Sequence, residues 1–124
     1  MPDTTVILYK EDDDTVPLLN WLDGLPAKAR VKCIARIIRL KRHGHQLRRP
    51  EADYLRDDIY ELRVGLQHMN YRMLYFFHGR TAAVLSHGLV KEGRIPPGEI
   101  DQAIAQKAKF EAHPEAHTYK LGLK

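Results

Sequence analysis

Arg63, Arg72, His87, Lys91 and Arg94 are set singly along the segment from Leu62 to Arg94. Strand positions normally go to apolar and β-branched residues, so isolated cations there call for a chemical reason. Together they hold the parts for metal-independent phosphodiester chemistry. RNA can be cut by its own 2′-OH attacking the adjacent phosphate. A catalyst then has to take a proton, neutralise charge on the phosphorus and help the 5′-oxygen leave. Histidine titrates at ~6.5, close to neutrality. The planar fork of arginine fits two phosphate oxygens, and a lysine among arginines has a lowered pKa. Each residue also has an ordinary use. His87 can be a structural hydrogen-bonding residue, Arg63 can pair with Glu61, Arg72 can lay its stem over the sheet, and Lys91 and Arg94 can be loop residues.

Other chemistries find no support. The chain has no GxxxxGK[ST], no GxGxxG after a strand, no HExxH and no CxxC. Ser86 and His87 are neighbours in a strand, which predicts that they face opposite sides and form no nucleophile–base pair. His43 and His45 flank a helix-ending glycine and do not make a metal site by themselves. No cofactor and no metal are expected.

The elements that must position the cations follow from pattern. Thr4 to Tyr9 reads as a strand. Thr15 and Pro17 open a first helix with Leu18, Leu19, Leu22 and Leu25 as its stripe, and Asp23-Gly24 stops it. A second helix starts at Pro26, with Ala27, Val31, Ile34 and Ile38 as its apolar stripe, widened by Ile37 and Leu40, and ends at His43-Gly44-His45. Gln46 to Asp58 reads as a polar, basic connection. Then come three strands. In DIYELRVG, Tyr60, Leu62 and Val64 oppose Ile59, Glu61 and Arg63. In YRMLYFFHG, Tyr71, Met73, Tyr75 and Phe77 oppose Arg72, Leu74 and Phe76. In TAAVLSHGLV, Leu85, His87 and Leu89 share a side. Short links make these an antiparallel meander. A last helix carries Ile100, Ala103, Ile104 and Lys107 along one side, and Pro114 ends it. The tail from His113 to Lys124 reads as poorly ordered. Helices and strands in runs imply an α+β fold, with helices on one sheet face and the other partly open to gather the cations.

With 124 residues and no internal linker, the chain reads as a single domain spanning 1–124. Cys33, the lone cysteine, reads as a small buried thiol in a reducing, cytoplasmic setting. No signal segment or membrane-length apolar run is present, so no membrane partner is expected. Net charge is +4, distributed unevenly. Residues 1 to 27 carry six acids and one base, whereas 28 to 56 carry ten bases and two acids. That basic segment and the sheet cations together suit a nucleic-acid partner.

The segments YLRDDIYELRV, YRMLYFFHG and LSHGLVKEGRIPPGEIDQAIAQK resemble the RelE/ParE toxin superfamily, in its phage-derived HigB-like branch. The likeness covers about residues 54 to 110; before them only element order and the basic second helix match. It implies a small antiparallel sheet, made of an N-terminal strand and the three-stranded meander, flanked by two N-terminal helices and a C-terminal helix. It further implies the toxin of a type II toxin–antitoxin system, cleaving mRNA on the ribosome without metal and silenced by a cognate antitoxin protein. Operator DNA would be met only through the antitoxin complex. Carried over by motif, Arg63 and Arg72 would bind phosphate, with His87 and Lys91 near the scissile group. Arg94, Arg48, Arg49, Lys41 and Arg39 would face RNA. In three places the chain departs from the pattern: Glu92 replaces the second of two lysines, Leu89 a phenylalanine and Asp58 a common glycine. Two other readings stay open: a ParE-like gyrase inhibitor, and a non-catalytic module that binds antitoxin and DNA.

Overall fold

A computed structural model of the chain describes residues 3–122. Its strands are β1 (Thr5–Tyr9), β2 (Ala52–Arg56), β3 (Ile59–Leu66), β4 (Met69–His78), β5 (Ala82–Val90) and β6 (Thr118–Tyr119), and its helices α1 (Pro17–Asp23), α2 (Ala27–His43) and α3 (Pro97–Ala112). The fold is α+β. The expected four-stranded antiparallel sheet is instead a six-stranded mixed sheet of order β2-β3-β4-β5-β1-β6. β2 to β5 run antiparallel in sequence, β1 joins β5 in parallel, and β6 closes the far edge antiparallel to β1. β2 lies within the stretch read as a connection; its polar residues hid a strand whose pairing with β3 stabilises it. Over its described part the tail carries β6, which pairs with β1, and His117 stacks on Tyr9 with ring centroids 5.1 Å apart.

Both sheet faces are covered, so the expected open face does not exist. Val6, Leu8, Leu62, Val64, Met73, Tyr75 and Leu85 pack under α1 and α2. Ile7, Tyr9, Ile59, Leu74, Phe76 and Val84 pack under α3 through Ile100, Ala103 and Phe110. Covering the second face is what brings a helix over the meander cations.

Helix α2 presents a different stripe from the one expected. Ala29, Cys33, Ile37 and Leu40 are buried, while Val31 is 67% exposed. Small Ala29 and Cys33 let the helix approach the sheet closely, which the bulkier Val31 would not. Burial pushes the Cys33 thiol up to about 11, as befits a packing residue. Arg30 closes the α1–α2 corner by donating to the carbonyls of Leu22 and Leu25, each at 3.0 Å. The Leu22 carbonyl also accepts the Leu25 N–H at 3.1 Å, so the corner is closed twice over. On α3, Gln106 and not Lys107 takes the buried position.

Candidate nucleic-acid interface

Register places the meander cations on the α3 face. Arg63 lies directly opposite Arg72, and Glu61 directly opposite Leu74. On the other side of β4, Leu89 opposes Arg72 and His87 opposes Leu74. Paired residues of an antiparallel ladder share a face, so the row Glu61–Leu74–His87 runs beside the row Arg63–Arg72–Leu89. Arg72 is buried and donates to Glu61 Oε1 at 2.8 Å. Its other terminal nitrogen donates to the Gly93 carbonyl at 3.0 Å, tying down the loop of Lys91 and Arg94. Arg63 Nε lies 3.6 Å from Glu61 Oε2, with the side chain 38% exposed. Glu61 therefore serves both guanidiniums at once, a role that sequence reasoning gave it only as a possible partner of Arg63.

His87 belongs to a second network. A β-bulge between the Leu74–His87 and Tyr75–Leu85 pairs inserts Ser86 as an extra residue. Such a bulge interrupts the two-residue alternation. Ser86 and His87 consequently do not face opposite sides as expected: Ser86 Oγ is 2.7 Å from His87 Nδ1. Leu85 turns to the α2 side while His87 and Leu89 stay with α3. His87 Nε2 is 2.9 Å from Glu99 Oε1, in the first turn of α3, and the Ser86 hydroxyl donates to Gln106 Oε1. With that hydroxyl donating, Nδ1 must donate in turn, and an imidazolium completes both bonds. Rotating the Gln106 amide half a turn lets its NH2 donate to Ser86, and a neutral imidazole then suffices. Burial pulls the imidazole below its ordinary range, against the hydrogen bond and charge of Glu99. Serine, histidine and glutamate stand in the order of a hydrolase triad. Ser86, however, has no exposed surface and His87 only 6%, so no substrate carbonyl has access.

Several of the cations line two grooves. One, of about 360 Å³, is walled by Arg36, Glu51, Arg63, Asn70 and Arg72. Arg36 was not singled out in the sequence, where nothing separates it from the other helix arginines. It borders the buried stripe of α2 and donates to the Arg63 carbonyl. The second groove, of about 640 Å³, is lined by His45, Arg48, Arg49, Asp53, Tyr54 and Tyr60. Arg49 pairs there with Asp53 at 2.9 Å, and Arg48 donates to the His45 carbonyl. Arg39 forms a two-pronged bond to Glu51, each contact 2.7 Å, which holds that carboxyl below its usual range. Lys41 stands apart, 3.7 Å from Asp3. Lys91 and Arg94 are exposed, as is Glu92, which makes no ion pair among the described residues.

The structure thus groups Arg63 and Arg72, with the Lys91–Arg94 loop attached to Arg72. His87 sits in its own buried network, Arg48 and Arg49 line a separate groove, and Lys41 lies outside both. Among the described residues no group of histidine, cysteine and acidic side chains is arranged to hold a metal ion. No helix is long and apolar enough to cross a membrane. Comparison with known families matches residues 20–109 to the model of phage-derived Gp49-like proteins (DUF891), a span that contains every residue of both grooves. No curated protein matches the chain significantly.

Proposed function

The chain belongs to the phage-derived Gp49-like family, a RelE-like toxin family, and from that premise we propose that it is the toxin of a type II toxin–antitoxin pair that cleaves ribosome-bound mRNA. The observation that carries this reading is the face-to-face placement of Arg63 and Arg72 on β3 and β4, beside Arg36 in an open groove. The guanidiniums open to that groove, Arg63 and Arg36, suit the non-bridging oxygens of one phosphate, with buried Arg72 lending its charge from behind Arg63. Their charge would favour the extra negative charge that develops when the 2′-OH attacks. Arg72, held by Glu61 and Gly93, would fix the Lys91–Arg94 loop beside the groove before RNA arrives. Lys91, an exposed amine two residues before Gly93, is the candidate for proton transfer.

His87 favours a second reading. Its ring is sealed against Glu99 and Ser86, a placement suited to holding α3 on the sheet. With His87 structural and no other group moving the proton, the fold would act by binding alone, either as a gyrase inhibitor or as an antitoxin- and operator-binding module. The partner in every version is an antitoxin, and the excess of bases in residues 28 to 56 suits an acidic one.

Induced expression in a bacterium, with primer-extension mapping of a translated mRNA, separates the readings. Translation-dependent cuts that vanish with Arg63→Ala support the nuclease. Toxicity without cuts supports the gyrase reading, checked by supercoiling assays. Absence of both supports the binding module.

A further inference from the structure

The groove under Tyr54 has no role in the phosphate chemistry above, yet it is built in a specific way. Tyr54, Tyr60 and Tyr75 are directly opposite one another across β2, β3 and β4. They form one row on the α2 side of the sheet, fully buried at Tyr75 and 51% exposed at Tyr54 on the edge strand. The ring of Tyr54 stands edge-on to Tyr60, centroids 5.1 Å apart at 73°. Its phenol oxygen accepts the Asp58 N–H at 3.1 Å, so the exposed ring is pinned at both ends. Phe77 packs on Tyr60 at 5.3 Å, and His45 lies over Phe77 at 3.6 Å, which extends the aromatic floor. Above that floor stand Arg48 and Arg49, with Asp53 the one acid lining the groove.

We infer that this groove is a nucleobase subsite for single-stranded RNA, in which a base stacks on Tyr54 and Arg48 and Arg49 hold the flanking phosphates. The inference rests on the RNA reading above and adds to it where a base, as opposed to the scissile phosphate, is held. A rigid, outward-facing ring within an arginine-lined groove is the combination that sequence-tolerant single-strand binders use. The volume exceeds one base and accommodates a nucleotide. Continuity with the phosphate groove supports the placement: Arg48, Arg49, Ala52 and Asp53 wall this groove, while Pro50 and Glu51, between them in the chain, wall the other. Tyr54 faces the α2 side and Arg63 the α3 side, so a strand that meets both would pass round the sheet edge at Pro50 and Glu51. Ring-to-ring packing with cations above suits a flat heterocycle better than an aliphatic side chain.

The test is fluorescence anisotropy of a short labelled single-stranded RNA over a salt series. The full chain is compared with Tyr54→Ala, Tyr54→Phe, Tyr54→Trp, Arg48→Ala and Arg63→Ala, each checked by thermal melting. Tyr54→Ala is expected to weaken binding on the order of 10-fold with the salt slope unchanged, because stacking releases no counterions. Tyr54→Phe and Tyr54→Trp should retain binding, and Arg48→Ala should lower the salt slope by about one unit. Binding that Arg63→Ala weakens but Tyr54→Ala leaves intact overturns the subsite and spares the RNA reading. No RNA binding by the wild-type chain overturns both. Loss of antitoxin binding but not of RNA binding in Tyr54→Ala also overturns the proposal and assigns the groove to protein.

Discussion

His87 Nε2 meets Glu99 Oε1 at 2.9 Å, and this contact fastens the first turn of α3 to the third strand of the meander. Burial pulls the imidazole below its ordinary 6.5, and Glu99 only partly opposes that. As pH falls through 6.5, the unfolded chain takes up a proton that the folded chain still refuses. The stability contributed by a neutral His87 is therefore complete above that pH and is lost on acidification towards the folded value. Melting temperature should fall between about pH 7 and pH 5. Glu99→Gln removes the carboxylate that favours the charged ring, so the fall should become larger. His87→Gln should flatten it, and a profile unchanged by His87→Gln would overturn the assignment.

Glu61 and Arg72 form a buried pair at 2.8 Å, their side chains 4% and 6% exposed. Replacing one partner leaves the other as an uncompensated buried group. Glu61→Leu should cost about 3–5 kcal/mol in urea unfolding, whereas Glu61→Leu combined with Arg72→Met should regain most of that loss. Equal stabilities of the single and double variants would refute the coupling.

Arg63 and Arg72 differ in a way that decides how catalysis must be tested. Arg63 is partly exposed and bonds Glu61 only at 3.6 Å, so Arg63→Ala should change stability by less than about 1 kcal/mol. Loss of mRNA cleavage in this variant then reports on the groove itself. The same loss in Arg72→Ala or His87→Ala mixes chemistry with unfolding. Circular dichroism melts alongside cleavage mapping separate the two, and full cleavage by Arg63→Ala would remove it from the site.

The β2–β3 hairpin turns on Asp57 and Asp58, both left-handed, with φ of 51° and 65°. A two-residue turn of this hand prefers glycine at its second position, the residue that the superfamily pattern carries there. Asp58→Gly should raise stability by about 1 kcal/mol, since the backbone bond to Tyr54 is kept. A lower denaturation midpoint would show that the Asp58 side chain has a stabilising role of its own.

Gly88 sits under the indole of Trp21, and a Cβ added there would lie 2.2 Å from the ring. Gly88→Ala should destabilise by about 1–3 kcal/mol and shift tryptophan emission, because α1 must lift from β5. Adding Trp21→Leu should relieve part of the loss, and no relief would place the strain elsewhere.

The two-residue period of β3 and β4 was enough to sort their side chains correctly: Tyr60, Leu62 and Val64 against Ile59, Glu61 and Arg63, and Tyr71, Met73 and Tyr75 against Arg72, Leu74 and Phe76. Alternation is a local property, so the sequence carries it complete. The helix start at Pro17 was legible for the same reason, since a proline's fixed φ acts on its own turn. What depended on distant partners was not legible. The bulge at Ser86 makes His87 a partner of Ser86 and Glu99, and Ser86 a partner of Gln106. β2 forms because β3 offers it a ladder. The stripe of α2 is set by which residues let it settle on the sheet. α3 closes the face on which the cations were expected to lie open. Each of these is decided by burial and hydrogen bonding between segments far apart in the chain, and those energies exist only once the tertiary structure has formed.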